Sequence, residues 1–236
     1  MCESEDDSCQ GQGGDNGKTI RVARFGESVH YWKRYYKRNC GLRGCAAKLP
    51  RKTPLINQLS YSGKYQGKFQ GHRERYNACG EAAATMALQY WHKGVNLDDV
   101  TDDAIDKVYY TPMNEPYTSP ANLTTILQEH GATVFAGNAS NDVEGQAILF
   151  AHLKTGAPIV VDVTVSTKEN GGDAAHFVVV TELTVDNTIY FNDSYSLSVG
   201  ASIRNASWND FQWAWVNNND ATNGYGGRYW FAAVYP

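Results

Sequence analysis

Three kinds of side chain that together perform acyl transfer follow one another along this 236-residue chain: Cys79, His176 and the pair Asn192-Asp193. Cys79 lies in Tyr76-Asn77-Ala78-Cys79-Gly80-Glu81-Ala82-Ala83-Ala84-Thr85-Met86, where a loop gives way to an alanine-rich run. A cysteine at the start of a helix faces free backbone N–H groups and the positive end of the helix dipole, which favour thiolate over thiol. A thiolate nucleophile also needs an imidazole to carry its proton and a third group to hold the ring. Alone, Cys79 reads equally well as a buried structural cysteine, and His176 alone as a satisfied core histidine. Together in one chain, with an acid in reach, they favour chemistry.

The reach comes from a predicted hairpin. Ala174 to Thr181 reads as a strand opening with His176, and Thr188 to Asp193 as a second strand closing on an amide and a carboxylate. Val185-Asp186-Asn187 between them is a turn signal, so the strands pair antiparallel and the start of the first meets the end of the second. The register is not fixed by this pattern, and a one-residue slip exchanges Asp193 for Asn192 as the neighbour of His176. The other histidines are weaker candidates. His92 follows the first helix, His130 and His152 fall within or at the ends of predicted helices, and His30 and His72 sit in basic or polar stretches. These contexts suit surface or cap residues.

Asn77-Ala78-Cys79-Gly80 before an Ala/Met helix, then His176-Phe177-Val178-Val179-Val180, then Phe191-Asn192-Asp193, resemble the papain-like cysteine peptidases that process bacteriocin leaders, and more closely their stand-alone C39-like relatives. The resemblance spans about residues 54 to 236. It implies an α+β fold with a helical half that carries the nucleophile helix and a C-terminal antiparallel sheet. It also implies that Cys79 is the nucleophile, His176 the base, Asp193 the orienting acid and Gln58 an oxyanion-hole donor. Gln58 ends the apolar segment Leu55-Ile56-Asn57, but its distance to Cys79 is long, as though residues 60 to 75 held an inserted loop; Gln66 and Gln70 are the alternatives. An amide is needed because the Cys79 N–H only half satisfies the developing oxyanion, and losing such a donor costs about 10²–10³ in rate. The chain departs from the family pattern at Glu81, which stands where proline is common, and in Asn-Asp-Ser in place of Asn-Asp-Pro.

The remaining pattern fits one catalytic unit over residues 53–236, and 42% apolar composition is enough for a sizeable core. Ser119 to Gly131 carries an N-cap serine, a proline at the first helical position and a terminal glycine. Asn141 to Gly156 reads as a further helix, and Pro158 to Val165 as a strand ahead of the hairpin. Helices first and an antiparallel sheet after them make an α+β fold. The C-terminal aromatics Trp208, Phe211, Trp213, Trp215, Tyr229, Trp230, Phe231 and Tyr235 are read as core, with a short helix beginning at Ser207 and a last strand over 229–235; a carbohydrate platform is the competing reading. Asn217 to Gly224 reads as a loop.

Residues 1–17 are acidic, glycine-rich and almost without apolar side chains, the composition of a disordered tether. Cys2 at its start, followed by Ser4-Glu5-Asp6-Asp7, resembles the lipid-bearing first residue of a bacterial surface lipoprotein. The expectation is an extracytoplasmic protein, attached to the membrane through a lipidated Cys2. Residues 18–52 carry 11 lysines and arginines against Glu27 alone, whereas residues 53–236 carry 10 against 19 acids. The basic segment therefore reads as a pro-segment lying on its own catalytic domain, or as a solvated basic face. Nucleic acid is an unsuitable partner for a chain of net charge −4 with no groove-reading motif. Cys40 and Cys45 are spaced for a small disulfide loop, which leaves Cys9 unassigned. No Cys-x-x-Cys pair is present, so neither a metal nor another cofactor is expected.

The sequence thus predicts a monomeric cysteine peptidase that cleaves a peptide or isopeptide bond in a peptide or protein substrate. Cys79, His176 and Asp193 form the triad, Gln58 serves the oxyanion, and a thioester is the intermediate. Transglutaminase-like acyl transfer uses the same residue order, and a surface binding module on a degenerate peptidase fold is the non-enzymatic alternative.

Overall fold

Runs of β-branched residues, most of them after position 158, and alanine-rich or capped runs, most of them before it, dictate where the sheet and helices form. The computed structural model describes residues 46–69, 78–110, 118–164, 175–195, 201–218 and 227–236. The acidic tether, most of the basic segment, the cysteines at 2, 9, 40 and 45, Gln70, and the loops over 168–173 and most of 111–118 and 219–224 lie outside the described residues.

The helices are α1 (Cys79–Tyr90), α2 (Leu97–Asp106), α3 (Pro120–Glu129), α4 (Asp142–Lys154) and α5 (Trp208–Val216). The strands are β1 (Ala47–Lys48), β2 (Thr133–Asn138), β3 (Ile159–Thr164), β4 (Ala175–Leu183), β5 (Thr188–Asp193), β6 (Ser202–Ser207) and β7 (Trp230–Tyr235). They form one antiparallel sheet in the order β2-β7-β3-β4-β5-β6, with β1 pairing the far end of β4. The α+β expectation holds. The sequence reading anticipated α1, α3, α4, α5, β3, β4, β5 and β7, and passed over α2, β1, β2 and β6.

Local chemistry accounts for the boundaries. Ser119 caps α3 by accepting from the Asn122 N–H, with Pro120 at the first helical position, and Ser207 caps α5 by accepting from the Asp210 N–H. Asn96 and Asp99 form a reciprocal capping box on α2. The β4–β5 hairpin turns at Asn187, whose φ of 62° is the left-handed conformation that asparagine tolerates better than most residues.

Both faces of the sheet are covered. Val160, Phe177, Val179, Ala232 and Val234 pack with Ala82, Ala83, Met86, Leu88, Leu123 and Leu127 on one side. Ile159, Val161, Val178, Val180 and Ile189 pack with Leu149, Phe150, Phe211 and Trp215 on the other. Strand β3 is accordingly buried at every position, as strands covered on both faces are. Every residue of α1 except Gln89 is buried, and its alanines leave no long side chain to hold it off the sheet. Most of the C-terminal aromatics are core, with Trp208 and Tyr235 half-buried against it and Trp213 half-buried outside it: Trp215 is fully buried, donates its indole N–H to the Trp230 carbonyl at 2.7 Å, and meets Phe211 and Tyr229 ring to ring. No helix among the described residues is long and apolar enough to cross a membrane.

Candidate active site

Cys79 is the first residue of α1, and its N-cap, Ala78, offers no side-chain acceptor to the first-turn N–H groups. Those donors and the dipole are left for the sulfur and for whatever charge develops beside it. The thiol is free and 8% exposed. Gly80 explains how this turn comes so close to the sheet. A β-carbon there would stand 3.3 Å from the Thr118 Cβ and 3.4 Å from the Phe177 ring. A side chain there would require Thr118 or the Phe177 ring, next to His176, to give by a few tenths of an ångström.

His176 enters from the second position of β4 and is 6% exposed. Its Nε2 lies 2.7 Å from Asp193 Oδ1, and Cys79 is its other hydrogen-bond partner. Burial by itself would push the imidazole toward neutrality. Hydrogen bonds to Asp193 and Cys79, and the charges of both, outweigh it and push the pKa up to about 10. The ring is held as imidazolium beside the sulfur.

Asp193 closes β5 and is 1% exposed. Burial would raise its pKa, but the bond to His176, the Tyr195 N–H at 2.9 Å and Arg204 Nη1 at 3.0 Å hold it below the ordinary carboxylate value. Arg204, on β6, went unnoticed in the sequence because the strand that presents it has no apolar alternation. Asn192 points to the opposite face, where its amide donates to the carbonyls of Thr53 at 3.3 Å and Pro54 at 2.9 Å.

Gln58 sits in a single 3-10 turn, Gln58–Ser60, that packs against α1, and it is fully buried. Its backbone N–H donates to the Ser194 carbonyl at 3.1 Å, and its Oε1 accepts from Ser194 Oγ at 2.7 Å. The carbonyl end of the amide is thereby fixed on Ser194. The inserted stretch that follows lies along α2: Ser62 Oγ donates to Asp98 at 2.7 Å, Tyr61 donates to Asp102, and Lys64 pairs with Asp106 at 2.8 Å. Gln66 begins a second 3-10 turn, Gln66–Phe69, and is exposed.

Glu81, which stands where the resemblance expects proline, is a fully buried carboxyl within the first turn of α1. Thr118 donates to its Oε1, while Oε2 has no hydrogen-bond partner. Desolvation outweighs the Thr118 and backbone hydrogen bonds and raises its pKa to about 7. Tyr110, also buried, stands close enough for Glu81 and Cys79 to raise its pKa as well, after burial.

Of the other histidines, His30 and His72 lie outside the described residues, and the three that are described have other surroundings. His92 is exposed after α1, and His130 follows α3 within 3.5 Å of Asp103. His152 corrects the reading of it as a surface or cap residue. It is 6% exposed, bonded through Nδ1 to the Tyr235 hydroxyl at 2.8 Å and stacked on Phe135, because α4 turns this face toward β2 and β7. Burial lowers its pKa to about 4. Among the described residues no group of three or more His, Cys, Asp or Glu is arranged to hold a metal ion.

The sequence model of the Peptidase_C39 like family matches residues 51–223. Among solved structures, a double glycine motif protease from an AMS/PCAT transporter, in complex with the leader peptide, is similar over 80% of this chain and 98% of that chain, at 15% identity and a TM-score of 0.42. No curated protein matches the chain.

Proposed function

Because the chain belongs to the Peptidase_C39 like family, and is a cysteine peptidase in general terms, we propose that it cleaves peptide or isopeptide bonds through a Cys79-His176-Asp193 triad and a thioester intermediate. The observation that carries this reading is the buried His176 ring, bonded to Asp193 on one nitrogen and partnered by Cys79. Since Nε2 faces Asp193, Nδ1 is the nitrogen that serves the sulfur.

The Cys79 thiolate adds to the scissile carbonyl. Its own N–H and the Gln58 NH2 hold the oxyanion, in a setting where such donors act with little reorganisation. His176 Nδ1 gives its proton to the leaving amine, the C–N bond breaks, and the acyl group remains on Cys79. The now neutral imidazole takes a proton from water, which attacks the thioester and expels the thiolate. Asp193 keeps one tautomer and one ring orientation throughout.

The test is the rate of Cys79 alkylation by iodoacetamide between pH 4 and 9, read by mass on wild type and His176→Ala. Rapid labelling at acid pH in wild type and its collapse in the variant are expected. Labelling of both proteins along an ordinary thiol curve, with a pKa near ~8.5, would overturn the triad. An added primary amine reports the fate of the acyl group: incorporation faster than hydrolysis would make the enzyme a transferase.

A further inference from the structure

We propose that Arg204 is a positioning residue for Asp193, fixing the plane in which its carboxylate meets His176 and restraining the basicity of the imidazole. The proposal rests on the triad reading above. Asp193 Oδ1 is committed to His176 Nε2 at 2.7 Å and the Tyr195 N–H at 2.9 Å, whereas Oδ2 accepts from Arg204 Nη1 at 3.0 Å. With Oδ2 held by a guanidinium, the plane of the carboxylate is restrained against rotation about its terminal torsion.

The sheet register accounts for the reach. In the antiparallel β5–β6 pair Ser202 lies opposite Asp193 and Arg204 opposite Phe191. Arg204 therefore shares the face of Asp193 and stands diagonal to it, a span that long side chains cross readily. The Arg204 side chain is 56% exposed while that of Asp193 is 2% exposed. The guanidinium thus reaches in from solvent to the second oxygen of a buried carboxylate.

The same contact carries a charge effect. The groups that act on His176 are Asp193 from β5 and Cys79 from α1, and those that act on Asp193 are His176 from β4, Arg204 from β6 and the Tyr195 backbone. A cation on the far side of Asp193 weakens the support that the carboxylate gives to the imidazolium. Removing it leaves His176 more basic and less well oriented, two effects that separate in one assay.

That assay is deacylation of full-length protein acetylated at Cys79 by p-nitrophenyl acetate, followed by mass between pH 6 and 11. p-Nitrophenolate leaves when Cys79 is acetylated, and water then releases acetate with His176 as base, so the rate rises through the pKa of His176 to a plateau. For Arg204→Gln the inflection is expected to move up by about half a pH unit and the plateau to fall about three- to ten-fold. Arg204→Lys, which keeps the charge without the planar fork, restores the inflection and not the plateau. A role confined to stability leaves the inflection of the folded fraction where it was, and an Arg204→Gln profile superimposed on wild type overturns the proposal. Failure of the underlying reading is distinguishable, because there His176→Ala deacylates at the wild-type rate or Cys79 is not acetylated at all.

Discussion

Glu81→Gln tests the electrostatics of the first turn of α1, beside Cys79, through folding stability. The Glu81 carboxyl is fully buried, has one oxygen without a partner, and has its pKa raised from 4.5 to about 7 by desolvation. A folded-state pKa above the unfolded one means that the native protein holds the proton more tightly. The group's contribution is therefore full below pH 4.5, is lost as pH rises through 7, and is level above that. An interval of about two and a half pH units, at about 1.4 kcal/mol each, amounts to about 3 kcal/mol. The substitution keeps the shape and removes the titration. Absolute stability also changes, because a buried amide meets the same lack of partners, so the informative quantity is the difference in pH dependence. Urea unfolding of both proteins at pH 4.5, 6, 7 and 8.5 should give a stability gap that moves by about 3 kcal/mol in favour of the variant between the extremes. His176, Asp193 and His152 titrate in both proteins and cancel. Parallel curves would show that Glu81 is ionised in the fold at ordinary cost, and the argument from desolvation would be refuted.

Gly80→Ala places a methyl group 3.3 Å from Thr118 and 3.4 Å from Phe177. Turnover of p-nitrophenyl acetate should fall about ten-fold or more as β4 and His176 are displaced, while the unfolding free energy changes by less than about 1 kcal/mol; unchanged turnover would show that the close approach is not needed. Gln58→Ala should slow acetylation of Cys79 about 10²–10³-fold. Ser194→Ala, which leaves the amide in place but releases its carbonyl end, should slow it less, about ten-fold, and equal losses in the two would contradict the orienting role of Ser194.

Much of the site was legible because its residues sit at element boundaries that sequence chemistry marks well. The alanine run located α1 and hence Cys79 at its start, and the turn at Asn187 located the hairpin that joins His176 to the end of β5. What the hairpin signal lacked was register. The irregularity in pairing between Val180 and Glu182 adds a residue whose effect on facing cannot be counted from hydrophobic alternation. Arg204 was hidden for a related reason. Strand β6 reads Ser-Ile-Arg-Asn-Ala-Ser, mostly exposed or half-exposed, at the edge of the sheet, so no buried face imposed a period of two on its sequence. Helix α2 was missed because its apolar positions, Leu97, Val100 and Ala104, are sparse among acids. Those acids are there to hold the inserted stretch Tyr61–Lys64, a contact distant in sequence.

The structure gives the end of β5 a role that no single residue suggested. Three successive residues reach three different parts of the site: Asn192 holds the carbonyls of Thr53 and Pro54, Asp193 holds His176, and Ser194 holds Gln58 through both backbone and side chain. Because side chains alternate across a strand, Asn192 and Asp193 act on opposite faces, and the chain leaving the strand then carries Ser194 to the buried glutamine. Gln58 and His176, the proposed oxyanion donor and base, are thus set by one stretch of backbone, although they come from segments more than a hundred residues apart. A one-residue slip of β5 would turn Asp193 away from His176 and Asn192 away from the Gln58 segment together. The packing of Ile189 into the core of the sheet therefore fixes the geometry of the candidate site as well as the fold.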